Sequence, residues 1–116
     1  GLEFTAATRL GIPEGKPSPE ELLAAAHGSC FTMSLASELT KAGTPPERLD
    51  VRCVVTLDEV AGKGHHIVHS AIEAHGTVPG CDDAGFAQAA EVADATCPLS
   101  ALLRASATVT VSATLS

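Results

Sequence analysis

Cys30 has the clearest surroundings for chemistry in this sequence, although a helical cysteine alone is more often a small packing residue than a nucleophile. His27 precedes it by one helical turn, so both side chains share nearly the same face. Arg9 and Glu20 flank the start of the helix, where a guanidinium can stabilise a thiolate and a carboxylate can orient the guanidinium. A second cysteine, Cys97, precedes a proline, and a helix break there can activate a thiol. Together these features favour a reactive thiol at Cys30.

The other thiols give weaker signals. Cys97-Pro98 is equally consistent with a helix end whose cysteine only packs. Cys53 lies on the apolar face of a predicted strand and is expected in the core, whereas Cys81 follows Pro-Gly in a turn and has no acid–base partner beside it. Four cysteines in a chain without secretory features indicate reactive or buried thiols rather than a disulfide scaffold.

The histidine spacing argues against a metal site. On a strand, His65 and His69 would lie ~13 Å apart and His75 ~20 Å further on, while His65 and His66 point to opposite faces. The sequence has no C-x-x-C motif and no helical H-x-x-x-H pair. It also lacks a serine nucleophile elbow and a glycine-rich phosphate loop, so we expect neither a metal nor hydrolase activity.

The reactive cysteine lies in a stretch with the start and end signals of a long helix, predicted over about Pro19–Lys41. Ser18 is a good N-cap, proline suits the first turn, and Glu21 can complete a capping box. Gly43 is a plausible stop. Leu22–Ser37 contains no Asp, Glu, Lys or Arg, which predicts that protein covers most sides of this helix. Polar residues interrupt the run, so it is not a membrane span.

The remaining elements follow from periodicity and turn signals. Period-two patterns predict strands over 49–58, 65–78 and 107–115, the first two joined by a hairpin at Gly62-Lys63-Gly64, and residues 2–9 resemble the end of another strand. Asp82 or Asp83 can cap a second helix that ends at Cys97-Pro98, and Pro98 can open a short extra turn. The order predicts one α+β domain over residues 1–116, with an antiparallel sheet and two main helices, the first central and buried.

Charge and composition limit the partners. The chain has 7 basic and 14 acidic residues, a net charge of −7, and its cations are scattered singly. This argues against nucleic acid and anionic membranes as partners, because binding to phosphates depends on Lys and Arg. No signal peptide or spanning segment is visible, so we expect a cytoplasmic protein. The start at Gly1 within strand-like residues predicts that an N-terminal portion precedes it.

Two motifs carry a family resemblance: the run 18–33, SPEELLAAAHGSCFTM, and Cys97-Pro98-Leu99-Ser100. With the strand 54–58 and the turn 78–80, they resemble the OsmC/Ohr family along nearly the whole chain, and Thr8-Arg9 together with His27 is similar to the OsmC branch. The resemblance implies a thiol-dependent peroxidase that reduces organic hydroperoxides to alcohols, acts in oxidative and osmotic stress defence, and forms an intertwined homodimer with sites near the subunit interface. The N-terminal strands of the family are absent from this sequence.

Carried over by position, the resemblance implies that Cys30 is the peroxidatic cysteine and Cys97 the resolving one, joined in a disulfide after a sulfenic acid forms on Cys30. Glu20 and Arg9 match the family's glutamate and arginine. An external dithiol, of the lipoyl type, is the expected reductant, and no cofactor is expected. We also expect apolar walls that suit a hydrocarbon tail, formed by Leu22, Leu23, Phe31, Met33 and Leu102.

Two alternatives remain open from the sequence. In the first, the same thiol pair acts as a redox sensor that changes conformation without turnover. In the second, the chain is a non-catalytic dimeric binding protein with inert cysteines. Steady-state consumption of a hydroperoxide distinguishes a peroxidase from both.

Overall fold

The computed structural model describes residues 2–4, 18–62 and 64–116, which form helices against one face of a four-stranded sheet. The α+β class predicted from the sequence is confirmed. In chain order the elements are β1 (Leu2–Phe4), α1 (Pro19–Lys41), β2 (Arg48–Val60), β3 (Gly64–Thr77), α2 (Asp83–Thr96), α3 (Pro98–Arg104) and β4 (Thr108–Leu115).

Helix α1 has the predicted bounds because its end signals are local. The Ser18 hydroxyl accepts a hydrogen bond from the Glu21 N–H at 3.1 Å, and Gly43 follows the helix with φ +85°. The return half of a capping box is absent: Glu21 is buried, and its Oε1 has no hydrogen-bond partner. The helix packs against β2, α2 and α3, but Leu22 and Met33 are 61% and 66% exposed, so one face of α1 is uncovered in the single chain.

The sheet is mixed, which corrects the predicted antiparallel arrangement. Its order is β1-β2-β3-β4, and only the β2–β3 hairpin is antiparallel, since β1 pairs with β2 and β4 with β3 in parallel. The physical reason is the helical connections: α1 lies between β1 and β2 in the chain, and α2 with α3 lies between β3 and β4. Such a crossover returns the chain to the end of the sheet from which it left, so the two strands run in the same direction.

The core forms between the helices and one face of β2 and β3. Leu49, Val51, Cys53 and Val55 are buried as the alternation predicts, whereas Leu57 is 41% exposed. Leu57 continues the apolar alternation of the predicted strand 49–58, but it lies in the part of β2 from Thr56 to Glu59 in which every residue is exposed.

Helix α2 lies unusually close to the sheet at a glycine of β3. A Cβ added at Gly76 would come within 2.8 Å of the Phe86 ring, and Phe86 is fully buried. The helix begins at Asp82, whose carboxylate accepts a hydrogen bond from the Gly85 N–H at 2.7 Å. The close contact between Phe86 and Gly76 holds α2 against β3. Cys97 lies at the opposite end of this helix.

The helix break predicted at Cys97-Pro98 is confirmed. Cys97 has an extended backbone, φ −74° and ψ 116°, and its N–H still donates to the Asp94 carbonyl at 3.4 Å. Pro98 then opens α3, a full helical element rather than a single turn. An extended residue between two helices directs its side chain away from both helix axes, which leaves the thiol free to approach a neighbouring element.

Candidate active site

Two cysteines far apart in the chain meet between α1 and the α2–α3 junction. The Cys97 Sγ lies 3.1 Å from the Cys30 Sγ, with the Cys97 thiol donating. Cys97 is fully buried and Cys30 is partly buried. A disulfide has an S–S separation of about 2.0 Å, so the sulfurs need to approach each other by only about 1 Å.

The described surroundings of Cys30 favour the neutral thiol. Partial burial raises the pKa of Cys30 above its ordinary value, and the neighbouring Cys97 thiol raises it further. The backbone N–H of Leu99, in the first turn of α3, lowers the Cys30 pKa and partly offsets these effects. Within residues 18–62 and 64–116, none of the groups that act on this pKa is a cation. A thiolate at Cys30 therefore needs positive charge from elsewhere.

The other two predicted site residues are not seen at the thiols. Arg9 lies outside the described residues. Glu20 is partly buried in the first turn of α1. It precedes Cys30 by about 15 Å along the helix axis, at 1.5 Å per residue, so it cannot touch the sulfur directly. Any influence of Glu20 on Cys30 has to pass through another side chain.

Four of the five apolar residues predicted to wall the pocket divide into two groups, and the fifth, Leu23, is partly buried and packs against the core. Phe31 is fully buried in the core, so its prediction as a wall was wrong, because its position on α1 faces the sheet. Leu22, Met33 and Leu102 are 61%, 66% and 64% exposed, and the first two lie on the uncovered face of α1. Cys30 borders that face.

A buried polar cluster next to the thiols was not found from the sequence. His27 is fully buried, and its Nδ1 lies 2.7 Å from the Ser70 Oγ of β3 while its Nε2 lies 2.8 Å from the Ser100 Oγ of α3. The Cys53 Sγ lies 3.3 Å from the Ser70 Oγ. One signal was available: Ser70 occupies the inward face of β3, where the period of two requires an apolar residue or a partnered polar one.

The pKa of His27 is lowered, chiefly because burial disfavours the charged imidazolium. Asp94 raises it and Arg104 lowers it, and these two side chains form an ion pair with each other. The imidazole is therefore neutral near pH 7 and has one N–H donor and one acceptor nitrogen. The two serine hydroxyls satisfy both, since a hydroxyl can donate or accept.

Within the described part of the chain, no helix is long and apolar enough to cross a bilayer. Across the same residues, no three or more His, Cys, Asp or Glu side chains are grouped so that they could hold a metal ion.

Comparison with known proteins gives a family. The model of OsmC-like proteins matches residues 12–112, which include both cysteines of the thiol pair, the elements from α1 to α3 and the first part of β4. The chain belongs to the OsmC family. It is also 40% identical over 91 residues to the Peroxiredoxin OsmC of Escherichia coli K12, and equally to that of Shigella flexneri. The match covers 78% of this chain and 63% of each relative, so it spans less than two thirds of their length.

Solved OsmC-family structures have the same fold. An organic hydroperoxide resistance protein OsmC from Legionella pneumophila superposes with a TM-score of 0.73 at 25% identity, over 93% of this chain and 75% of that one. The organic hydroperoxide resistance protein OhrB of Bacillus subtilis gives a TM-score of 0.74 at 19% identity, over 88% of this chain and 78% of that one. At 19% identity, the second match shows the fold alone.

Proposed function

We propose that this OsmC-family protein is a thiol-dependent peroxidase that reduces organic hydroperoxides to alcohols. The observation that carries the proposal is the 3.1 Å contact between the Cys30 and Cys97 sulfurs. An inert buried cysteine does not require a second thiol at this distance, whereas a peroxidatic cysteine with a resolving partner does. The relatives named Peroxiredoxin OsmC support the same reading.

The reaction has three steps. The Cys30 thiolate attacks the distal oxygen of ROOH, the O–O bond breaks, and the alkoxide leaves as alcohol after protonation, with Cys30 oxidised to a sulfenic acid. The Cys97 sulfur then attacks the Cys30 sulfur, the disulfide forms, and the hydroxyl leaves as water with the Cys97 proton. An external dithiol reduces the disulfide by exchange and returns both thiols.

The first step needs a thiolate at Cys30, but the described residues alone favour the neutral thiol. The pKa of Cys30 is raised by burial and by the neighbouring Cys97 thiol. In the proposal Arg9 supplies the missing positive charge, and Glu20 orients its guanidinium through bidentate hydrogen bonds. This division of roles agrees with the position of Glu20, which is too far along α1 to contact the sulfur itself.

The uncovered face of α1 suits a substrate with an apolar tail. Leu22 and Met33 are exposed on the face of α1 that Cys30 borders, and exposed apolar side chains in groups mark binding surfaces. Part of this face also fits the interface of a homodimer, with the substrate entering near the subunit boundary. We keep the cytoplasm as the proposed compartment, because a dithiol-driven cycle requires a reducing environment.

The test is peptide mass spectrometry after one equivalent of cumene hydroperoxide is added to the fully reduced protein. The expected product is a Cys30–Cys97 disulfide with one equivalent of alcohol. Cys81→Ser, which removes the partly exposed turn cysteine, should behave as the parent does. Cys30→Ser should consume no hydroperoxide.

Two results would contradict the proposal. A Cys30→Ser protein with the parent rate would show that another group reduces the peroxide. Oxidation of the pair without turnover when a dithiol is supplied would instead indicate the redox sensor.

A further inference from the structure

The buried imidazole of His27 links three elements at one point. It is hydrogen bonded to Ser70 of β3 through Nδ1 and to Ser100 of α3 through Nε2, while its own backbone belongs to α1. All three side chains are fully buried. Buried polar groups of this kind are costly unless every partner is kept, so the bridge defines one arrangement of the three elements.

Two positions in this bridge are close in sequence to the thiol pair. His27 precedes Cys30 by one helical turn, and Ser100 follows Cys97 by three residues. The His27–Ser100 hydrogen bond, 2.8 Å long, therefore joins the two segments that carry the sulfurs, within a turn of each sulfur. The bridge therefore ties α1 to α3 close to both cysteines.

We propose that His27 is a positioning residue that holds the start of α3 against α1 through Ser100, and thereby keeps Cys97 within reach of Cys30. This inference rests on the proposed function, in which Cys97 resolves oxidised Cys30. His27 does not contact the reacting sulfurs in this role. It acts through α3, which it orients.

Helix α3 needs such an anchor because its own start is weakly held. It has only seven residues, and its N-cap, Cys97, makes no side-chain capping hydrogen bond. A short helix without a cap frays readily. The Leu99 N–H, which lowers the pKa of Cys30, belongs to the same turn, so its direction also depends on the anchor.

Ser70 provides a matched control for Ser100. Both are fully buried serines, and each is bonded to one nitrogen of the same imidazole. Ser100→Ala and Ser70→Ala each delete one hydroxyl and leave one ring nitrogen without that partner. Ser70→Ala also removes the contact with the Cys53 Sγ, so it should cost at least as much folding stability as Ser100→Ala. Only Ser100 lies on the segment that carries Cys97. A positioning role therefore predicts different effects of the two substitutions on the thiol pair.

The first readout is the equilibrium of the thiol pair with glutathione, which does not depend on peroxidase activity. Oxidised glutathione takes two electrons from Cys30 and Cys97, giving the protein disulfide and two molecules of reduced glutathione. We expect Ser100→Ala to lower this equilibrium constant about fivefold, the equivalent of one net hydrogen bond. Ser70→Ala should change it less than about twofold, and Ser100→Thr, which keeps the hydroxyl, should restore the parent value.

The second readout is the fate of Cys30 after excess hydroperoxide. A misplaced Cys97 resolves the sulfenic acid more slowly, so Ser100→Ala should form more sulfinic acid at Cys30 per turnover than Ser70→Ala. Equal effects of the two substitutions, or a larger effect of Ser70→Ala, would overturn the positioning role. If excess hydroperoxide does not oxidise Cys30 in the parent, the proposed function is contradicted. The positioning role of His27 is then decided by the glutathione equilibrium alone.

A measurement on the unsubstituted protein covers the case in which Ser100→Ala does not fold. The ring N–H of His27 is buried in a bonded bridge, so its proton should exchange slowly with solvent and give a resolved NMR signal in the reduced protein. A ring proton that exchanges as fast as that of the exposed His65 would show that the bridge opens freely and would overturn the proposal.

Discussion

The folding stability of this protein should fall as the pH drops below about 6.5, because His27 is buried as a neutral imidazole. In the unfolded chain this histidine takes up a proton near its ordinary pKa of 6.5, whereas burial lowers the pKa in the folded state. Between the two values the unfolded state binds more protons. The free energy of unfolding therefore rises with pH in this window. The contribution from His27 is lost as the pH falls through the same window.

The size of the effect follows from one proton. If the folded imidazole stays neutral, the unfolding free energy decreases by at most about 1.4 kcal/mol per pH unit in this window. Between pH 7.5 and pH 5.5 the loss is therefore at most about 1.4 kcal/mol, of which about three quarters falls below pH 6.5. Protonation would also leave the imidazolium with two donors, to which both serine hydroxyls would have to reorient as acceptors.

The assay is urea unfolding of the reduced parent and of His27→Gln at both pH values. Other titrating groups are common to both proteins and cancel in the difference between the two pH dependences. We expect the parent to lose more stability than the variant by up to about 1.4 kcal/mol. Parallel pH dependences would refute the reasoning, because they would mean that His27 is protonated equally easily in the folded and unfolded chains.

Three further predictions test the thiol site and the fold. Arg9→Ala should raise the pKa of Cys30, measured by the pH dependence of alkylation, whereas Arg9→Lys should keep most of the charge effect; an unchanged profile in Arg9→Ala would remove this residue from the mechanism. Cys97→Ser should reduce one equivalent of hydroperoxide and then accumulate sulfenic and sulfinic acid at Cys30, and continued turnover with a dithiol would argue against its resolving role. Gly76→Ala should lower the unfolding free energy by about 1–3 kcal/mol in urea titrations, because a Cβ there meets the Phe86 ring at 2.8 Å; unchanged stability would mean that α2 moves away at no cost.

The parts of the fold that depend on local chemistry could be predicted from the sequence. Ser18 and Gly43 mark the ends of α1 because a cap and a left-handed glycine act within a few residues. Cys97-Pro98 marked the break between two helices for the same reason. The meeting of Cys30 with Cys97 was available only through the family resemblance, since nothing local connects two residues 67 positions apart.

The features that escaped prediction depend on how distant segments pair. The direction of β4 relative to β3 is set by the helical crossover, and Leu57 is exposed because it lies in the part of β2 where both faces are exposed. The partners of His27 come from positions 43 and 73 residues further along the chain. A single histidine in a run of small residues gives no indication of them.

The separation of the two sulfurs along the chain has a consequence for the oxidised protein. A bond between Cys30 and Cys97 would close a ring that contains the whole β2–β3 hairpin and α2. In the chain-entropy treatment, closing a loop of this length lowers the entropy of the unfolded state and raises the free energy of unfolding by about 4 kcal/mol. In the proposed cycle, the reduced protein would therefore be less stable to unfolding than the disulfide-bonded protein. A shortage of reductant would leave the protein in the more stable, oxidised form.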